Sequence, residues 1–146
     1  MLTGSAATPV AALQAIDGSP LAHIAAHGHH EPENPLFSSL DLVDGSLMGY
    51  DLQQLRQPPR HVVLSACELG LASIRAGDEV LGMAAALLAA GAANVVAGVS
   101  SVRDQTAPDV MIRYHQLLRA GETPSRALAD ASIDQPLATF VCFGAG

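Results

Sequence analysis

Residues 61–67 read His-Val-Val-Leu-Ser-Ala-Cys. Val62, Val63 and Leu64 follow one another with no polar residue between them, the pattern of a strand covered on both faces as in a parallel sheet. That run delivers Cys67. An earlier run over residues 21–26 has the same character and delivers His27-Gly28. Further strands are expected over residues 93–99 and 139–143. Helical patterning fills the gaps. One helix is expected over residues 6–16, with Thr8 as N-cap before Pro9 and Asp17-Gly18 closing it. Another covers residues 78–90 and ends at Gly91. A third starts at Asp104 or Thr106 and runs through Arg119 to Gly121. The last runs from Thr123-Pro124 through Ile133. Between the first two strands, Leu40, Leu42 and the Asp44-Gly45 turn predict a short strand. Met48, Leu52 and Leu55 predict a helical piece stopped by Pro58-Pro59, and residues 28–35 predict a ligand-touching loop. Strands alternating with helices predict one α/β domain over residues 1–146, with a mostly parallel layered sheet and helices on both faces.

Composition narrows the function. At 146 residues and 49% hydrophobic, the chain is long enough for a real core without disulfide staples. Only 14% of its residues are charged, against about 25% in an average soluble domain. The formal charge of −7, with 7 Lys and Arg scattered along the chain, argues against nucleic acid and favours a basic peptide as partner. The two cysteines, Cys67 and Cys142, have neither the number nor the spacing of a disulfide framework and read as free thiols. No basic segment followed by a continuous apolar run opens the sequence, and the apolar stretch 80–99 is broken by Gly82, Gly91, Asn94 and Gly98. A cytoplasmic protein that does not span a membrane is the expectation.

In open α/β sheets the binding crevice lies beyond the carboxyl ends of the strands, where His27, Cys67 and residues 100–104 all fall. Taken singly, a strand-end cysteine is usually core and a histidine usually structural. Taken together they describe a nucleophile and its base. A thiol attacks a carbonyl carbon as thiolate, and a neighbouring imidazole that accepts its proton supplies that thiolate at neutral pH. Gly28, lacking a Cβ, lets a substrate carbonyl come close, so its backbone N–H and that of Cys67 suit an oxyanion hole. No cofactor is called for.

The segments Ala25-Ala26-His27-Gly28, Ser65-Ala66-Cys67-Glu68-Leu69-Gly70 and Gly77-Asp78-Glu79-Val80-Leu81-Gly82 together resemble the CHAT domain, a caspase-like family related to separases. Residues 89–96 resemble the family's helix-to-strand crossover and residues 121–129 its late helix, so the resemblance covers nearly the whole chain in order. It implies a caspase-like layered sheet and a peptidase acting on polypeptide, with His27 and Cys67 at the dyad positions. Asp104 matches the acidic residue with which separase-like relatives recognise a basic P1 side chain, and Glu68 adds to the same field. It also implies a helical-repeat regulatory partner, and a front portion of the usual domain that this sequence lacks. A sheet edge left open in that way favours homo-oligomerisation or docking of the missing fragment. Ser100-Ser101 stands where the family has Trp-Pro, and Leu137-Ala138-Thr139-Phe140 replaces its Trp-Ala-x-Phe, so the pocket lacks aromatic walls.

Two other readings stand beside the peptidase. His27, His29 and His30 cluster after a strand as metal ligands do, but Glu31 and Pro32 occupy the last two positions of a His-x-His-x-Asp-His pattern. The remaining histidines, His23, His61 and His115, are scattered. A catalytically inactive interaction module is the third, its low charge and open edge serving binding while the dyad is a relic.

Overall fold

The computed structural model describes residues 1–29, 31, 33–65, 78–98, 107–135 and 140–145. The first helix, α1, spans Pro9–Ile16: Thr8 Oγ1 accepts a hydrogen bond from the Ala11 N–H at 3.3 Å, and Pro9 fills the first helical position. The expected start at Ala6 shifts because residues Gly4–Ala6 form a separate 3-10 turn, and the fixed ring of Pro9 disfavours helical backbone at the residue before it. Asp17 and Gly18, the latter at φ 76°, end the helix as anticipated.

Strand β1 is Leu21–Ile24. The chain then departs from expectation, because His27–His29 is not loop but a strand, β2. It pairs antiparallel with β3, Ser39–Leu42, which pairs in turn with β4, Gly45–Met48, in a second sheet ordered β2-β3-β4. Asp44, at φ 65°, makes the turn between β3 and β4, a left-handed conformation that a short polar side chain tolerates. Met48 therefore ends a strand, and only Gly49–Gln54 is helical, as a 3-10 segment in which Asp51 Oδ2 accepts from the Met48 N–H at 3.0 Å.

Strand β5 is His61–Leu64, buried at every position. Helix α2 spans Asp78–Ala90 and ends in a Schellman motif: the Ala92 N–H donates to Leu87 O and the Gly91 N–H to Leu88 O, with Gly91 at φ 115°. Strand β6 is Asn94–Gly98, helix α3 Ala107–Arg119, helix α4 Pro124–Ser132 and strand β7 Phe140–Gly144. Gly121 closes α3 through the same pair of bonds, to Leu117 O and Leu118 O.

The main sheet has the order β1-β5-β6-β7, in which β1, β5 and β6 are parallel and β7 runs against β6. Helices cover both faces. Val62, Leu64, Val95 and Ala97 point one way, onto Met83, Ala84, Ala86 and Leu87 of α2, together with Leu40, Leu47 and Leu52. Val63 and Val96 point the other way, onto Val110, Met111 and Tyr114 of α3 and Ala127, Leu128 and Ala131 of α4. Period-two alternation thus divides each apolar run between two cores, which is why neither β5 nor β6 turns a face to solvent. Among the described residues, no helix is long and apolar enough to cross a membrane.

Candidate functional site

Strands β1 and β5 run side by side in register, Ile24 opposite Leu64, and the Ser65 N–H donates to Ile24 O at 2.9 Å. Both strands therefore stop at the same carboxyl edge. Beyond it His27 opens β2, where it is exposed and stands opposite Asp41 of β3, with Gly28 opposite Leu40. Cys67, Glu68 and Asp104 lie outside the described residues, as do His30, Thr106 and the polar loop expected after Cys67.

Because side chains alternate along a strand, His27 and His29 share a face of β2, and that face carries Asp41. His29 Nε2 and Asp41 Oδ2 are 2.8 Å apart, and Ser46 Oγ donates to Asp41 Oδ1 at 3.2 Å. The hydrogen bond from His29 holds the Asp41 carboxyl below the usual carboxylate range against desolvation, and Ser46 and the nearby His27 act in the same sense as His29. His29, one residue from the proposed oxyanion donor, is thus engaged with a carboxylate. Among the described residues, no three His, Cys, Asp or Glu side chains are arranged to hold a metal ion.

A second polar group lies on the α3 side of the same edge. His23 of β1 places Nε2 2.8 Å from Ser65 Oγ and Nδ1 2.9 Å from His115 Nε2 on α3, the two rings stacked at 5.0 Å between centroids. Desolvation pulls His23 down to about 4 from 6.5, and the proximity of His115 adds to the effect. Deeper in, the buried Tyr114 hydroxyl and His61 Nε2 are 2.6 Å apart; burial raises the tyrosine pKa and lowers that of His61. Along the sequence these histidines are scattered. The missed signal was parity: His61 and Ser65 share the odd register of Val63 on β5, and His23 stands opposite Val63, so all three face α3.

A parallel β1-β5-β6 unit clad by helices on both faces, with a histidine just past the carboxyl edge, defines a caspase-like layered α/β domain. Residues 1–135 match the family model of the CHAT domain, and the chain belongs to that caspase-like, peptidase-related family. No curated protein matches it significantly.

Proposed function

We propose that this chain is a cysteine endopeptidase in which His27 and Cys67 form the dyad. The observation that carries the reading is the shared edge of β1 and β5: His27 is the third residue after Ile24 and Cys67 the third after Leu64, and those two residues are partners in the sheet. Adjacent strands lie about 4.8 Å apart and three residues reach about 10 Å, so the chain permits the two side chains to meet without rearranging the sheet. In the reaction, His27 accepts the Cys67 thiol proton and the thiolate attacks the scissile carbonyl carbon. The oxyanion forms against the backbone N–H groups of Gly28 and Cys67. His27 then gives its proton to the leaving amine, and water releases the acyl group from sulfur. Asp104, with Glu68 next to Cys67 in sequence adding to the same field, selects Arg or Lys at P1, because a carboxylate binds a guanidinium through short charge-assisted hydrogen bonds. The net charge of −7 favours the same basic polypeptides.

An arginyl chloromethylketone tests this directly. Cys67 should be alkylated and Cys142 spared, since burial raises the Cys142 thiol pKa and keeps it protonated. His27→Ala should slow labelling by about 10² or more, and Asp104→Ala should erase the advantage over a neutral P1 reagent. Equal labelling of both thiols, indifferent to His27→Ala, would remove the peptidase reading.

That outcome would favour an interaction module, the reading supported by β1. Among the described residues β1 has no partner on its outer side, and its edge carries Leu21, Ala22, His23 and Ile24 without a Lys, Glu or Pro to block strand addition. A cavity of about 290 Å³ lined by Ile16, Leu21, Ile24 and Leu42 opens alongside it. A second copy of the chain, a fragment supplying a strand or a helical-repeat partner would be the ligand.

A further inference from the structure

Ser65, His23 and His115 are joined in sequence across β5, β1 and α3, with contacts of 2.8 and 2.9 Å. The connectivity is that of a nucleophile, a base and a group orienting the base. A histidine held at about 4 is, however, too weak a base to activate a serine hydroxyl near neutral pH, where an effective general base has a pKa close to 7. Burial lowers both rings from their ordinary value, so near neutral pH each is uncharged and the contacts admit two arrangements. Either Ser65 O–H donates to His23 Nε2 while His23 Nδ1–H donates to His115 Nε2, or His115 Nε2–H donates to His23 Nδ1 while His23 Nε2–H donates to Ser65 Oγ. Each arrangement satisfies every atom in the chain of contacts.

We infer that Ser65, His23 and His115 are positioning residues for Cys67, fixing the direction in which the chain leaves β5. This rests on the reading of Cys67 as the nucleophile. The backbone of Ser65 is tied to β1 through its N–H bond to Ile24 O, and Leu64 before it is paired with Ala97 of β6, so the sheet holds the strand end within its own plane. The side-chain bond through His23 to α3 adds a second fixed point on the opposite side of the β5 backbone from the α2 core. Cys67 is the second residue after this doubly held position. Near-attack geometry is sensitive enough that misplacement by about 1 Å costs up to 10²-fold in rate.

The test measures inactivation by the arginyl chloromethylketone on the whole chain, separating the maximal rate, kinact, from the half-saturating concentration, KI. Ser65→Ala and His23→Ala should each lower kinact about tenfold with KI within about twofold of the parent. Ser65→Thr, which keeps the hydroxyl, should recover most of the loss, and Ser65→Ala should shift the ring 15N resonances of both His23 and His115. A Ser65→Ala protein with parental kinact overturns the inference, as does a loss carried by KI or one that Ser65→Thr does not recover. Labelling that still requires His27 but ignores Ser65 defeats this inference alone. Labelling that requires neither His27 nor Cys67 defeats the dyad, and the positioning role with it.

Discussion

On the face covered by α1 and α2 the main sheet presents Ala22, Val62, Leu64, Val95 and Ala97 to an unbroken hydrocarbon layer, whereas on the face covered by α3 and α4 Val63 and Val96 share the surface with His23, His61 and Ser65. The first face is held by volume: area removed from water and the absence of voids, which any well-shaped apolar set supplies. The second is held also by direction, since the buried His61 imidazole and Tyr114 hydroxyl must find each other or go without the water they gave up. Of these directional groups, His23 and Ser65 lie toward the carboxyl edge from which His27 and Cys67 follow, whereas His61 opens β5 at its other end. The contrast teaches that this fold packs one face with hydrocarbon alone and places its polar order on the other, part of it toward the edge where chemistry is proposed.

Truncation on the hydrocarbon face should give the largest effect. Leu87→Ala removes a buried side chain from the last turn of α2 and should cost about 3 kcal/mol, read from the urea midpoint at unchanged slope. The directional face should break on the loss of one oxygen: Tyr114→Phe deletes the partner of His61 Nε2 in a buried site and should cost about 1 to 2 kcal/mol, although hardly any volume changes. If Tyr114→Phe proved neutral, the distinction between the faces would lose its basis.

A pH series sharpens the comparison further. Burial holds His23 at about 4 and holds His61 and His115 below their ordinary value of 6.5. Above about 6.5 these rings are neutral in folded and unfolded chains alike. Between about 6.5 and 4 the unfolded chain takes up protons that the folded one refuses, so stability falls as the pH drops through that window. The groups around them, Tyr114 and Cys142, have raised values and do not titrate there; Asp41, whose carboxyl is depressed, adds its own loss only below about 3.8. Thermal midpoints should therefore decline from about pH 7 to about pH 5, and decline less in His23→Gln. The smallest effect belongs to the rim of the polar face. Arg113 and Asp134, an exposed pair at 3.2 Å, should contribute no more than about 0.5 kcal/mol, and Arg113→Gln should melt within error of the parent.

Much of the main sheet was legible from local signals. Continuous apolar residues located β5 and β6, and the glycines at 91 and 121 marked helix ends because only a residue at ease with positive φ closes a Schellman motif. The second sheet was not legible. His27-Gly28-His29 has no hydrophobic period, and it becomes a strand because β3 offers it a ladder. Met48, Leu52 and Leu55 fit helical spacing, yet pairing with Ser39 claimed Met48 for β4. The candidate site divides the same way. His27, Gly28 and Cys67 stood out by motif, whereas Asp41 reached the His27 side through cross-strand register and His115 reached His23 from a helix far along the chain.

The amino-acid order alone settled that β5 and β6 would be buried strands, where α2 and α3 would stop, and that this is a CHAT-family chain, whereas β1, read as equally buried, proved an exposed edge strand. Burial pattern, capping and family motifs are properties of neighbours in sequence. Which polar groups meet was decided only by the fold. The pairs His23–Ser65, His23–His115 and His61–Tyr114 join residues distant along the chain, and their partnership depends on strand order, face and helix docking. Hydrogen bonds are short and directional, so no local pattern announces them until packing brings the atoms within reach.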